Sequence, residues 1–208
     1  FGARLPSGAV AGSVGDFAVF SFYANRLING AEGAMLLCPN MATAERARRH
    51  RRLGIDQTTF RDARGEINPK SDVSHIGISG TMNNVNAAIA MASFATAEAR
   101  LAKTRKNAAL LATGLEQIKG ISAVKPLGNA LPAYWVFMIL ADRQDAILDT
   151  LRARHIGRTK LHQSNHVYSG FGASTRALPG TDAFSGRMIG LPVGWWLDAD
   201  DIAEILLG

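Results

Sequence analysis

Residues from about Asn83 to Ile118 carry apolar side chains at helical spacing, among them Val85, Ile89, Ala92, Leu101, Leu110, Leu111 and Leu115. That stretch exceeds the roughly 8–20 residues of a usual globular helix. It therefore predicts a kink or break near Ala97 to Leu101, and a helix that bridges two domains. Whatever folds before it and after it must do so as separate layers of strand and helix.

Both flanks read that way. Asp16 to Phe22 is a short aromatic-rich strand bounded by Gly12 and Gly15, and Gly33 to Cys38 is a continuous apolar run of strand length. The segment Ile28-Asn29-Gly30-Ala31-Glu32 turns the chain between them. Asn40 is placed to cap a helix running to about Leu53, with Gly54 as its left-handed C-terminal residue. Gln57 to Ser79 is polar, contains Pro69, and reads as an irregular excursion. After Gly120, strands are expected at Ile121 to Val124 and Ala133 to Leu140, a helix from about Arg143 to His155, a loop from Leu161 to Gly180, a strand at Met188 to Val193, and a helix from Asp198 to Leu207. Alternating strands and helices define an α/β or α+β class.

The 47% hydrophobic and 19% charged composition of the 208 residues is that of a chain able to bury a core. The net charge of +6 raises the question of nucleic acid. Arg46, Arg48, Arg49, Arg51 and Arg52 share one helical stretch, and Lys103, Arg105 and Lys106 another. Neither interleaves aromatics for base stacking and no nucleic-acid-binding motif accompanies them, so both are expected to be solvated helix faces that favour anionic substrates. The single cysteine, Cys38, lies in an apolar run and reads as a buried structural thiol, in keeping with a reducing, cytoplasmic setting. The longest apolar run, Leu131 to Ala141 broken by Pro132, falls short of the ~18 residues of a membrane span. The chain starts at Phe1 and stops inside a helical pattern, as a fragment would. His162 and His166 are four apart but stand in a Ser- and Gly-rich stretch with no further ligand pattern, so a metal site is not expected.

The stretch Phe20-Ser21-Phe22-Tyr23-Ala24-Asn25-Arg26-Leu27-Ile28-Asn29-Gly30-Ala31-Glu32-Gly33-Ala34 resembles the lysine motif of DegT/StrS sugar-nucleotide aminotransferases. That motif runs Phe-Ser-Phe, three residues, lysine, then a short stretch ending in Gly-Glu-Gly-Gly. Further segments resemble the same family: Gly15-Asp16-Phe17; Arg52-Leu53-Gly54-Ile55-Asp56; Ile76 to Ile89; and, in the last third, Leu161-His162, Tyr168-Ser169-Gly170-Phe171, Leu178-Pro179-Gly180 and Leu191-Pro192-Val193-Gly194-Trp195-Trp196. Together they span essentially the whole chain.

The resemblance implies an α/β protein: the C-terminal portion of the large domain of a fold-type I pyridoxal-phosphate (PLP)-dependent transferase over residues 1–97, then an interdomain helix and a small α+β domain over 98–208. It implies a homodimer that moves an amino group, with glutamate as donor, to a nucleotide-linked keto-sugar. By residue, it makes Ser21 a cofactor-phosphate ligand, puts Arg26 at the Schiff-base lysine position, puts Ser79 where many members carry an asparagine that reaches the partner subunit's cofactor phosphate, and turns His162 and Tyr168 toward the sugar nucleotide. Glu32 and Gly33 serve the turn, and Trp195 and Trp196 serve packing or line a pocket.

Arg26 departs from the motif in a way that matters chemically. A covalent link to PLP needs a neutral amine, and proton transfer on the substrate carbon needs a group titrating near the working pH. Guanidinium, with its pKa above ~12, supplies neither. The expectation is a family member with transamination lost or crippled and PLP held without a covalent bond. The alternative is a catalytically silent member that binds PLP or sugar nucleotide as a sensor or partner subunit. Retained chemistry without the lysine, as in the family's sugar dehydratases, ranks last because arginine is a poor base.

Overall fold

The computed structural model describes residues 1–172 and 176–207. It divides into two compact units: Phe1 with Ala9–Ala95, and Gly2–Gly8 with Thr96–Gly208.

The first unit opens with β1 (Ala18–Ser21) and β2 (Ala34–Leu37), an antiparallel pair in the register Ala18↔Leu37 to Ser21↔Ala34. Both expected strands form, each shorter at its ends. Asn40 caps α1 (Met41–His50), its Oδ1 accepting from the Thr43 amide at 2.9 Å. The helix ends earlier than the pattern suggested because Leu53 and Gly54 both adopt left-handed backbone, with φ of 60° and 84°. The Gly54 amide then turns back to the Arg49 carbonyl at 2.8 Å. No residue of α1 is buried, and Arg46, Arg48, Arg49, Arg51 and Arg52 are all exposed, as a solvated basic face requires. Residues 57–79 form turns with an isolated bridge, Arg61↔Ile67, and no regular element. The unit closes with α2 (Asn84–Phe94), capped by Asn83.

Among the described residues, Ile28 and Ala90 are the buried apolar side chains of this unit. Val19, Met35, Leu36, Leu37, Val85, Met91 and Phe94 stay exposed, Val19 at 69% and Met91 at 75%. A two-stranded ladder with both faces open is not expected to be stable by itself. Cys38, expected to be buried, is half-buried, and the four residues of β2 before it are all exposed.

The second unit has a core of its own. α3 (Ala97–Leu115) is separated from the end of α2 (Asn84–Phe94) by two residues, so the long helical pattern breaks just before the stretch predicted for a kink. Strands β3 (Ile121–Ala123), β4 (Phe137–Ala141) and β5 (Met188–Leu191) make an antiparallel sheet in the order β3-β4-β5. Helices α3, α4 (Gln144–Ala153) and α6 (Ala199–Leu206) supply the packing; α4 touches β4 and β5, and α3 touches β3 and α6. Leu111, Ile139, Ile189 and Val193 are almost fully buried in this core. Each such side chain contributes about 1.5–3 kcal/mol relative to exposure. Asn107, buried on α3, donates from Nδ2 to the carbonyls of Gly194 at 3.0 Å and Leu197 at 3.2 Å, fixing the turn that follows β5.

Two expectations need correction here. The strand predicted from Ala133 begins only at Phe137, because Tyr134 is left-handed at φ 41°, a conformation no strand accommodates. Within the predicted loop, two single 3₁₀ turns form at Asn165–Val167 and Ser169–Phe171, and a further helix, α5 (Pro179–Ser185), starts before the loop's expected end. Its proline sits in the first turn, where a missing N–H costs nothing. Part of that loop, residues 173–175, lies outside the described residues.

No helix among the described residues is long and apolar enough to cross a membrane.

Candidate active site

Ser21 ends β1, and the loop beyond it is shaped by close backbone approach to α2. Gly30 is buried; a Cβ there would stand 2.8 Å from the Asn86 carbonyl oxygen. Gly33, at φ 128°, faces Met82, whose sulfur would be 2.7 Å from an added Cβ. Asn86 Nδ2 donates to the Glu32 carbonyl at 3.2 Å, and the Asn29 amide donates to Ser93 Oγ at 3.1 Å. Glu32 and Gly33 therefore serve the turn, as their sequence pattern suggested. Ile28 is the apolar anchor of the loop at 5% exposure.

These contacts fix the loop on which Arg26 stands. Its amide closes a turn on the Tyr23 carbonyl at 3.0 Å, and its side chain is exposed. Phe1 meets Phe94 edge to face, with ring centroids 5.6 Å apart. Five residues before Arg26, Ser21 Oγ accepts the Tyr23 amide at 3.2 Å. Accepting there leaves the hydroxyl hydrogen available to donate to an anionic oxygen.

Ser79 stands elsewhere in the first unit. It forms an isolated bridge with Arg52, supported by the Gly80 amide donating to Arg51 O at 2.8 Å and the Leu53 amide donating to Ile78 O at 3.0 Å. The structure thus brings Ser21 and Arg26 onto one loop, while Ser79 is anchored at the end of α1.

His162 and Tyr168 belong to the second unit, and both are exposed. The His162 ring lies nearly parallel to Trp135, with centroids 6.1 Å apart and planes at 16°. His166, by contrast, is engaged by Ser164, whose Oγ is 2.9 Å from Nδ1. Trp195 and Trp196 meet edge to face at 6.1 Å, and the Arg100 guanidinium sits 4.4 Å over the Trp195 ring. A shallow cleft lined by Val124, Lys125, Pro126, Tyr134 and Phe137 includes none of the sequence-predicted site residues. Trp135 was legible in the sequence only as one more aromatic inside a predicted strand, since its stacking partner is 27 positions away.

Do these groups suit PLP? A serine hydroxyl at a strand end, with its proton free to donate, suits a phosphate oxygen. Arginine at position 26 does not suit covalent attachment, because a guanidinium offers no neutral amine.

Residues 1–207 match the DegT/DnrJ/EryC1/StrS aminotransferase family, and the chain belongs to that family. Its fold is that of the sugar aminotransferases. AtS13 from Actinomadura melliaura superposes with a TM-score of 0.89 at 30% identity, over 99% of this chain and 54% of its own. The sugar aminotransferase CalS13 from Micromonospora echinospora does so with a TM-score of 0.87 at 26% identity, over 96% and 53% respectively. Among curated proteins, Protein Rv3402c of Mycobacterium tuberculosis is 24% identical over 216 residues, covering 99% of this chain and 48% of the relative. The chain spans about half the length of the relatives it matches. Aminotransferases of this family use PLP and act on nucleotide sugars with an amino donor.

Proposed function

We propose that this chain is part of a PLP-dependent sugar-nucleotide aminotransferase in which Arg26 stands in the place of the cofactor-binding lysine, leaving amino transfer lost or crippled. Residues 1–97 would complete the large cofactor-binding domain and residues 98–208 form the interdomain helix and small domain. The observation that carries this is the loop pinned on α2, which presents Ser21 and Arg26 five residues apart in a chain matched to the family from end to end.

In this arrangement Ser21 holds the cofactor phosphate through its hydroxyl, and Ser79 serves the corresponding group of a second subunit in a homodimer. PLP, when bound, supplies the electron sink that makes amino exchange between glutamate and a keto-sugar feasible. Arg26 holds a permanent positive charge beside that site. It can pair with an anionic oxygen, but it cannot give up its proton to receive another at neutral pH. His162 and Tyr168 face the sugar nucleotide. A cytoplasmic location accords with the single unpaired cysteine.

Arg26 also favours a second reading, in which the protein is catalytically silent and binds PLP or a sugar nucleotide as a sensor or partner subunit.

Full-length protein incubated with PLP and reduced with borohydride should retain no covalently trapped cofactor, while Arg26→Lys should trap it and gain amino transfer from glutamate. Trapping in the wild type would overturn the assignment of position 26. An R26K protein that traps cofactor yet transfers nothing to any nucleotide-linked keto-sugar would favour the silent reading.

A further inference from the structure

Residues 2–8 and the turn at 131–134, both of the second unit, are joined by a single rung of antiparallel ladder. The Arg4 amide donates to the Leu131 carbonyl at 2.8 Å, and the Leu131 amide donates back to the Arg4 carbonyl at 2.9 Å. Neither end of this ladder can grow. On one side the next rung would need an N–H from Pro6, which has none, and on the other Gly2, at φ 75°, has turned out of extended backbone. A lone rung is a weak hold in water.

Arg105 supplies what the ladder lacks. Half-buried on α3, it donates from Nη2 to the Gly2 carbonyl at 2.7 Å and from Nε to the Pro132 carbonyl at 3.0 Å, so one planar fork grips both segments. Leu101, one turn earlier on the same helix face, closes on Gly2 so tightly that an added Cβ would stand 2.3 Å from its Cδ2. Against this hold works the backbone at Tyr134, left-handed at φ 41°. That conformation is costly for a residue with a Cβ and persists only under tertiary constraint. Opposed influences on one short turn make a two-state element.

We propose that Arg105 is a latch. While its fork is closed, residues 2–8 and 131–134 share the stability of the second unit's core. Once the fork is broken they come free together as a strap, with the β3-β4-β5 sheet intact and Tyr134 relaxed out of left-handed backbone.

The test is hydrogen exchange on full-length protein, read residue by residue. Arg105→Met keeps the apolar stem and removes both donors. It should speed exchange at the Arg4 and Leu131 amides together, roughly ten- to hundredfold, and leave the amides of β4 and β5 unchanged. Arg105→Lys should restore at most part of the protection, because an ammonium is a compact charge rather than a fork. Gly2→Ala, which displaces the segment from Leu101 with Arg105 untouched, should loosen the same two amides, and it decides the matter alone if R105M does not fold. The latch is overturned if R105M leaves both amides protected, if only one of them loosens, or if R105K protects as fully as arginine. It is equally overturned if β4 and β5 loosen as much as the strap, which would make Arg105 a plain contributor to global stability.

Discussion

On the proposed reading, the choice between lysine and arginine at position 26 decides chemistry while barely touching structure. Both are long and cationic, both tolerate the exposed loop observed, and the loop's shape is set by Gly30, Gly33 and Ile28 rather than by residue 26. That reading makes fold and activity separable by one side chain. Other single residues have the opposite character. A Cβ on Gly54 would overlap the His75 carbonyl oxygen, and its φ of 84° is strained for any other residue. Gly54→Ala is expected to destabilise the protein by about 1–3 kcal/mol, read as a lower midpoint in chemical denaturation with no change in spectral response to PLP. The glycine was identifiable in the sequence as a helix terminator. The left-handed Tyr134 and Leu161 were not, because residues with a Cβ adopt that conformation only when tertiary contacts impose it.

Elements capped by local sequence were legible in advance, and those fixed by tertiary contact were not. Asn40 and the apolar run of β2 announced their elements; the late start of β4 depends on the left-handed backbone of Tyr134, which no local pattern signals. The most complete cap belongs to α6, where Asp198 accepts from the Asp200 and Asp201 amides and the Asp201 carboxylate accepts the Asp198 amide at 2.9 Å. The Asp201 backbone N–H, followed by that of Asp200 and by the Lys103 charge, holds the Asp198 carboxyl below its ordinary pKa. A depressed carboxylate contributes stability that is fully present above its unfolded pKa and is lost as pH falls through the folded one. Melting temperature should accordingly fall in the acid range. Asp198→Asn, which can still accept a capping bond, should flatten this part of the profile, and a slope unchanged by that substitution would refute the attribution. The Asp56 carboxyl, held down chiefly by the Thr58 hydroxyl and amide and then by Arg49, contributes with the same sign.

On the scale of the whole molecule, the two units differ in how well they are furnished with core. Residues 96–207 bury a continuous cluster between sheet and helices, whereas 9–95 leave Val19, Met35, Leu36 and Met91 exposed. Residues 1–208 expressed without further sequence should therefore self-associate, seen as a concentration-dependent rise in apparent mass and in binding of an apolar dye. Serine at Val19 and Met35 should reduce both effects. Residues 2–8 belong with the second unit, held by the Arg4↔Leu131 bridge and by Arg105 donating to the Gly2 carbonyl at 2.7 Å, so the chain leaves that unit after Gly8 and returns to it at Thr96. A protease nick between Gly8 and Thr96 should therefore leave the segment 2–8 held on the second unit in native buffer, to be released only when that unit is melted.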